Sequence, residues 1–340
     1  MGKPIEAQMP SPELFFDTVN AYQRTAALKA AIELDIFTAI AAGEDTPQAL
    51  AARCGAAVRG ARTLCDYLVV LGFLTKEGGR YGLTDDSAVF LSRASSAYLG
   101  GAIKFLLSPM LTDAFTDLAA VVRKGGTVIS EEGSVAPQHP MWVEFARSMA
   151  PVTTIPAQAL ARLAALDPSR RARVLDIAAG HGKFGIAFAK EYPEAEIVAL
   201  DWPNVLEVAV ENAKAEGIGA RYKTIAGSAF DADFGNDYEV VLLTNFLHHF
   251  DKPTCERLLR KTHAALRKSG RAITLEFVPN EDRVSPPRAA SFSLMMLGTT
   301  PSGDAYTFRE YEEMFRNAGF KSSEMHSLGG GFQQVVISYK

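Results

Sequence analysis

The sequence predicts an α/β protein with a mainly helical N-terminal part, followed by a mostly parallel sheet between helices. Two observations support this fold class. From Glu13 to Ile40, apolar residues recur every three or four positions, which is typical of helices with one buried face. From Arg173 onward, short apolar runs alternate with helical patterns, as in a parallel sheet covered by helices on both faces.

The N-terminal part predicts two further helices and a hairpin. The Thr46-Pro47 pair is typical of a helix N-terminus, and a second helix is predicted from Val58 to Leu71. Two short runs on either side of Gly78-Gly79 then predict a hairpin. Two helices followed by a hairpin are a winged-helix pattern.

The boundary between two domains is expected near the stretch from Gly125 to Pro140, whose composition is typical of a linker. A chain of 340 residues is also too long for one typical core. We therefore expect a helical winged-helix domain over residues 1–135 and a second domain over residues 136–340.

The sequence of the second domain predicts strands at regular intervals. The first five are Arg173–Ile177, Glu196–Leu200, Arg221–Ile225, Val240–Leu243 and Ala272–Val278. A helix is predicted from Asp251 to Gly270. The last two strands, Phe320–Leu328 and Phe332–Tyr339, are joined by a turn too short for a crossover helix, so they must be antiparallel. This order predicts a Rossmann-like sheet with an antiparallel C-terminal strand.

Composition and charge exclude several classes of function. The formal net charge of -4 gives no general attraction to nucleic acid or to an anionic membrane. No apolar run approaches the ~20 residues of a membrane span, and the N-terminal residues lack the pattern of a signal peptide. The three cysteines are widely separated, which argues against a disulfide framework. We therefore expect a cytoplasmic protein with reduced thiols.

A glycine-containing loop follows the first strand of the second domain. Gly180, Gly182 and Gly185 have the spacing of a dinucleotide-binding loop, and Asp201 follows where a ribose-binding acid is expected. However, the carboxylate of Asp176 at the strand end would repel a pyrophosphate. The terminal antiparallel strands also differ from a second mononucleotide-binding half. An NAD-dependent oxidoreductase is therefore left open but is the less favoured interpretation.

The C-terminal half resembles the class I methyltransferase domain, and the whole layout resembles O-methyltransferases of the caffeic-acid and hydroxyindole type. The resemblance rests on Val174–Gly182, Asp201-Trp202-Pro203-Asn204-Val205, Gly227-Ser228-Ala229-Phe230, Leu247-His248-His249-Phe250, Glu276 and Ala318-Gly319-Phe320. It implies S-adenosylmethionine as cofactor, S-adenosylhomocysteine as product and a homodimer formed through the N-terminal domain. It further implies a small-molecule methyl acceptor, with neither nucleic acid nor membrane as partner.

The resemblance also implies a set of cofactor-binding residues. They are Asp176, Gly180, Gly182, Asp201, Trp202, Ser228, Ala229, Phe230, Thr244 and Met149. Two positions depart from the family pattern. Ala178 replaces the first loop glycine, which should narrow the loop without abolishing binding. Ser228 replaces an aspartate that contacts adenine, so that contact should be weaker or different. The segment from Phe145 to Met149 is expected to close over the cofactor.

His248 is the expected general base, because a neutral imidazole can accept the proton of a phenol whose pKa is near 10. By the resemblance, Glu276 would fix the tautomer of His248, and Asp304 would substitute for a second acid whose position is taken by Ala305. His249 replaces the acid of many family members and is expected to be structural. No metal site is expected, because the histidines lack the spacing of a ligand set.

The acceptor is expected to be an aromatic or polyketide-like metabolite that is methylated on oxygen. By the resemblance, the apolar stretch from Phe292 to Leu297 would line its pocket, although a helix packed on the sheet would explain this stretch equally well. C- or N-methylation remains open, as does a non-methylating relative that binds S-adenosylmethionine and catalyses a rearrangement, decarboxylation or hydroxylation. Nucleic-acid binding by the winged helix is disfavoured, because Arg59 and Arg62 are balanced by Asp66.

Overall fold

The computed structural model describes residues 10–328 and 332–340, and the chain folds as two compact units that meet in sequence at Gly101 and Ala102. The first unit is helical apart from one hairpin. Its elements are α1 (Glu13–Val19), α2 (Tyr22–Glu33), α3 (Ile36–Ala41), α4 (Pro47–Cys54), α5 (Val58–Val70), β1 (Leu74–Glu77), β2 (Arg80–Leu83) and α6 (Asp85–Phe90). The predicted mainly helical N-terminal region is therefore confirmed.

The continuous helical pattern predicted from Glu13 to Ile40 is divided into three helices. Asp35 adopts a left-handed backbone with a φ of 57°, which separates α2 from α3. Thr46 caps α4 as predicted, since its side chain accepts a hydrogen bond from the backbone N–H of Ala49 at 3.2 Å. The apolar side chains of α1 and the start of α2 are exposed rather than packed in the core, among them Leu14, Phe15 and Tyr22.

The second unit contains the remaining helices and a seven-stranded sheet. Its helices are α7 (Ile103–Leu106), α8 (Pro109–Thr112), α9 (Leu118–Lys124), α10 (Met141–Leu163), α11 (Lys183–Glu191), α12 (Pro203–Ala215), α13 (Lys252–Ala265), α14 (Pro287–Thr299) and α15 (Phe308–Asn317). Its strands are β3 (Ala172–Ile177), β4 (Ala195–Asp201), β5 (Tyr222–Ala226), β6 (Tyr238–Thr244), β7 (Leu266–Glu276), β8 (Ser322–Ser327) and β9 (Gln334–Tyr339).

The sheet has the order β5-β4-β3-β6-β7-β9-β8. The first five strands are parallel, whereas β9 runs antiparallel to both β7 and β8. This topology confirms the predicted mostly parallel sheet with an antiparallel C-terminal strand. The turn predicted between β8 and β9 falls on residues 329–331, which lie outside the described residues.

Alternate residues of each central strand pack on opposite faces of the sheet. Val174 belongs to one buried cluster and Leu175 to the other, because successive side chains of a strand point in opposite directions. Strands β3, β4, β6 and β7 are parallel, so their carboxyl ends lie at one edge of the sheet. Asp176, Asp201, Thr244 and Glu276 are at or beside these ends, and this edge positions the site.

Three boundaries differ from those expected. The helix α13 ends at Ala265 rather than at Gly270, which lies within β7. The stretch that precedes the first predicted strand contains α10, a helix of 23 residues that includes Pro151. Residues 102–135 were assigned to the N-terminal domain, yet in the structure they belong to the second compact unit. The physical reason is local packing: the backbone N–H of Thr127 donates to the carbonyl of Thr300 at 2.9 Å.

Within the described residues, no helix is both long enough and apolar enough to cross a membrane.

Candidate active site

Two neighbouring cavities lie at the carboxyl edge of the sheet. The first cavity has a volume of about 300 Å³. Its lining residues are Val135, Pro137, Trp142, Phe145, Ala178, Gly180, Leu200, Asp201, Trp202, Val205, Gly227, Ser228, Ala229, Phe230, Asp231, Phe246, His249 and Phe250. Six of the ten residues predicted to bind the cofactor therefore line it: Gly180, Asp201, Trp202, Ser228, Ala229 and Phe230.

Asp201 is fixed by the glycine loop at the end of β4. One carboxylate oxygen accepts a hydrogen bond from the backbone N–H of Gly180 at 2.8 Å, and the other accepts from the N–H of Trp202 at 2.7 Å. Burial raises the pKa of this carboxyl to about 6, although both hydrogen bonds favour the charged form. Gly180 has a φ of 57°, a conformation that glycine adopts without strain.

Asp176 and Gly182 support the loop from behind and do not line the first cavity. Asp176 is fully buried, and one of its oxygens accepts from the N–H of Gly185 at 3.0 Å. Its other oxygen has no partner among the described residues. Burial is the main reason why the pKa of Asp176 is raised to about 7. Gly182 is required for packing, because a Cβ there would lie 2.6 Å from the Tyr222 hydroxyl.

The other two predicted cofactor residues lie elsewhere. Thr244 is buried at the end of β6 and lines neither cavity. Met149 lies on α10 and lines the second cavity instead of the first. Ala178, the substitute for a family glycine, lines the first cavity with a φ of 54°. An alanine thus occupies a left-handed conformation that normally favours glycine.

The charge of the first cavity distinguishes between cofactor classes. Its described lining includes the carboxylates of Asp201 and Asp231 but no lysine or arginine. A pyrophosphate would find no cationic side chain there, whereas a cofactor with a sulfonium and an ammonium group would find carboxylates. This lining therefore fits S-adenosylmethionine better than NAD.

The second cavity, of about 340 Å³, is mainly aromatic and aliphatic. Its lining residues are Phe105, Leu106, Leu111, Ser134, Met141, Trp142, Phe145, Met149, Val152, Thr153, Pro156, Phe184, Asn245, His248, His249, Phe277, Phe292, Met295, Met296, Thr299, Phe332 and Gln333. Trp142, Phe145 and His249 line both cavities, so the two spaces adjoin along these side chains. The apolar stretch from Phe292 is part of α14, and only some of its side chains face the cavity.

The predicted pair of His248 and Glu276 is present in the structure. His248 lies in a short turn of 3-10 helix after β6, and its Nδ1 is 2.5 Å from an oxygen of Glu276. The other oxygen of Glu276 accepts from the backbone N–H groups of Phe246 and Leu247 at 3.0 and 2.9 Å. Since a carboxylate only accepts hydrogen bonds, Nδ1 of His248 carries a proton, and in the neutral form of the ring Nε2 has the free lone pair.

The sequence indicated only a structural role for His249, but this residue lines both cavities. Its ring centroid is 4.2 Å from that of His248, and its Nδ1 donates to the carbonyl of Phe246 at 3.2 Å. Burial, and then the neighbouring His248, lower the pKa of His249 well below its usual value. His249 is therefore a neutral imidazole located between the two cavities.

His181 and Asp304 are placed outside both cavities. His181 accepts from the N–H of Lys183 at 3.1 Å through Nδ1, and its Nε2 lies 3.0 Å from the Thr153 hydroxyl. Burial lowers its pKa to about 3, so it is neutral and holds the loop in place. Asp304, the expected second acid, forms an ion pair with Arg283 at 3.1 Å and lines neither cavity.

Sequence reasoning did not identify Trp142 or Ser134, and it expected Phe145 only at the cofactor, although all three line the second cavity. Trp142 and Phe145 belong to α10, and no periodic signal places that helix over the sheet edge. Ser134 falls in the predicted linker, yet it is 2% exposed and its hydroxyl has no partner in the described part of the chain. Within residues 10–328 and 332–340, no group of three or more histidine, cysteine or acidic side chains could hold a metal ion.

Comparison with protein families gives two matches. Residues 115–321 match the model of the O-methyltransferase domain, and residues 16–93 match the O-methyltransferase dimerisation domain. These matches confirm the predicted resemblance and set aside the NAD-dependent oxidoreductase.

Similar proteins cover nearly the whole chain. A candidate O-methyltransferase from Nostoc punctiforme is 58% identical, and its crystal structure covers 98% of this chain and 100% of its own with a TM-score of 0.95. A 3-hydroxy-5-methyl-1-naphthoate 3-O-methyltransferase from Streptomyces sahachiroi is 29% identical over 91% of this chain and 89% of its own length. Human N-acetylserotonin methyltransferase, solved with S-adenosylmethionine, is 22% identical, with a TM-score of 0.82 over 100% of this chain and 99% of its own.

Proposed function

We propose, since the chain belongs to the O-methyltransferase family, that it transfers a methyl group from S-adenosylmethionine to a hydroxyl of an aromatic or polyketide-like small molecule. The observation that carries this proposal is the buried pair of His248 and Glu276. Its imidazole lines an apolar cavity that adjoins a second space lined by carboxylates. A base beside an acceptor site and next to a site for a cationic cofactor is the arrangement that methyl transfer to a hydroxyl requires.

The first cavity is the proposed cofactor site. Asp201 would bind the ribose hydroxyls, and the bare backbone of Gly180 would allow close approach of the cofactor. Trp202 and Phe230 offer aromatic surface to an adenine ring. When bound, S-adenosylmethionine supplies an electrophilic methyl group on a positively charged sulfur.

His248 is the proposed general base. Its Nε2 would take the proton from the acceptor oxygen, and this produces an imidazolium next to Glu276. The carboxylate 2.5 Å away stabilises that positive charge and holds the ring in the required tautomer. The mainly apolar walls of the second cavity lower the local dielectric constant, and this strengthens the electrostatic stabilisation.

The first unit is the proposed dimerisation domain. Leu14 and Phe15 are 79% and 63% exposed, and Tyr22 is 67% exposed. Large apolar side chains exposed in this way are typical of a protein interface. The match of residues 16–93 to a dimerisation domain supports a homodimer that uses this surface. We also propose that α4, α5 and the hairpin of β1 and β2 form a winged helix within this domain.

Calorimetric titration of the full chain with S-adenosylmethionine, S-adenosylhomocysteine and NAD tests the cofactor site. Both adenosyl compounds should bind and NAD should not. Asp201→Ala should weaken binding at least about tenfold, because charge-assisted hydrogen bonds contribute about 1.5–3 kcal/mol each. Asp233→Ala is the matched control, since Asp233 lies on the loop between β5 and β6, two residues after the lining residue Asp231, but does not itself line the cavity. Binding of NAD alone, or equal losses in both variants, would contradict the assignment.

The reaction itself is tested with a labelled methyl donor and a panel of phenols. We expect a methoxy product, identified from its carbon chemical shift. A methyl group found on carbon or nitrogen, or a product without the label, would exclude O-methylation.

A further inference from the structure

The second cavity contains no charged side chain among the described residues that line it. We infer that this cavity selects uncharged aromatic acceptors and discriminates against aromatic carboxylates. This selectivity rests on the proposed function for the identity of the cavity as the acceptor site. It goes beyond that proposal, since a phenol-methylating enzyme can in general accept charged or neutral phenols.

Among the described residues, no lysine or arginine lines this cavity; the guanidinium of Arg288 lies over the ring of Phe332, 5.4 Å from its centroid, but is not part of the lining. The titratable lining of the cavity consists of the two histidines, and His249 is kept neutral by burial. His248 is hydrogen-bonded to the fully buried carboxylate of Glu276. The pair therefore carries a net negative charge whenever the imidazole is neutral. A substrate carboxylate would therefore lose its hydration without gaining a cationic partner, which is strongly unfavourable.

The polar groups of the cavity suit neutral substituents. The side-chain amide of Gln333 donates to the Asn245 carbonyl oxygen, and this leaves the Asn245 N–H groups and the Gln333 carbonyl as a neutral donor and acceptor. Ser134 adds a buried hydroxyl that has no partner in residues 10–328 and 332–340. Hydroxyl, ketone or ester oxygens can be satisfied by these groups, whereas a full charge cannot.

The aromatic wall favours a flat ring system. The rings of Phe277 and Phe292 are stacked at 3.8 Å with an interplanar angle of 14°, and Phe332 is stacked on Phe277 at 5.6 Å. Phe292 also contacts the edge of His248 at 4.9 Å. An arene placed along this wall would thus have its hydroxyl near the proposed base while its other substituents meet apolar or neutral groups.

The selectivity is tested with a hydroxynaphthoic acid, whose carboxyl group is on the ring opposite the hydroxyl, and with its methyl ester. Binding of each to the full chain saturated with S-adenosylhomocysteine is measured by calorimetry at neutral pH. We expect the ester to bind about 30-fold more tightly than the acid, or better. Equal affinities within threefold, or tighter binding of the acid, would overturn the inference.

A variant that adds a cation at the mouth of the cavity provides a second measurement. Leu106 lines the cavity and is 49% exposed, so it tolerates a larger side chain. Leu106→Arg should reduce the ester-to-acid ratio at least tenfold by strengthening binding of the acid, whereas the matched control Leu106→Gln should leave the ratio unchanged. The same reduction in both variants would refute the electrostatic origin. If the binding ratio holds but neither compound is methylated, the proposed function fails and the charge selectivity stands.

Discussion

Replacement of Glu276 by glutamine tests the proposed base most directly. The oxygen of Glu276 that accepts from Phe246 and Leu247 can be retained by the amide carbonyl of glutamine. The oxygen 2.5 Å from His248 Nδ1 is replaced by an amide NH₂ group, which can only donate. The imidazole must then accept through Nδ1 and carry its proton on Nε2. In this tautomer His248 cannot take a proton from the acceptor.

The expected loss follows from the contribution of a general base. Such a base accelerates a reaction by about 10²–10⁴-fold, so kcat of Glu276→Gln should fall by at least about 100-fold, which corresponds to about 2.7 kcal/mol of barrier. The KM of the acceptor and the affinity for S-adenosylhomocysteine should change less than threefold, because neither cavity changes shape. Steady-state kinetics with an unactivated phenol provide the measurement.

Two controls separate loss of the base from loss of structure. A nitrophenol that is already ionised at the assay pH needs no base, so kcat of Glu276→Gln with this acceptor should lie within about tenfold of the wild type, even though the uncharged lining binds the anion weakly in both proteins. Glu239→Gln is the matched substitution at the opposite end of the sheet, where Glu239 accepts from the N–H of Arg173. It should leave kcat unchanged. Retention of more than a third of the wild-type kcat by Glu276→Gln would refute the proposed role of the pair.

Three further predictions concern the walls and the loop of the site. Phe292→Leu should raise the acceptor KM about 3–10-fold without changing S-adenosylhomocysteine affinity, because it removes a stacked ring; an unchanged KM would exclude Phe292 from the acceptor site. Ala178→Gly should stabilise the chain by up to about 1 kcal/mol in urea denaturation, since it relieves a left-handed alanine; a lower stability would show that the loop is not strained. Asp176, whose pKa is raised from 3.8 to about 7, stabilises the folded chain below about pH 4 and loses this contribution as the pH rises through 7. The Asp176→Asn variant should therefore gain up to about 3 kcal/mol relative to the wild type between pH 5 and 8, and a pH-independent difference would contradict the raised pKa.

The fold and the strand-end residues could be predicted because their signals are local. Alternating apolar runs and helices specify parallel strands, and the carboxyl ends of such strands meet at one edge. Asp201 and Glu276 are placed at that edge by the chain order alone. The approach of Glu276 to His248 also required a resemblance to a known family, since spacing in sequence does not specify a contact between two strands.

The remaining part of the site depends on tertiary packing. Ser134 lies in a stretch without any helical or strand pattern, and only its burial in the second unit makes it part of a cavity. By the resemblance Met149 was expected at the cofactor, but the direction in which α10 presents it makes it line the second cavity. By the resemblance Asp304 was expected to assist the base, because it is adjacent to the position of the family's second acid. Its ion pair with Arg283 could not be read from that position.

His249 shows how the two cavities can have different electrostatic properties while they adjoin. The proposed cofactor side has two carboxylates, and the proposed acceptor side has no charged lining in the described chain. A cation between them would repel a sulfonium on one side and attract anionic acceptors on the other. Burial lowers the pKa of His249 well below its usual value and so keeps the shared wall neutral. An imidazole in this position therefore separates the two sites without adding a charge to either one.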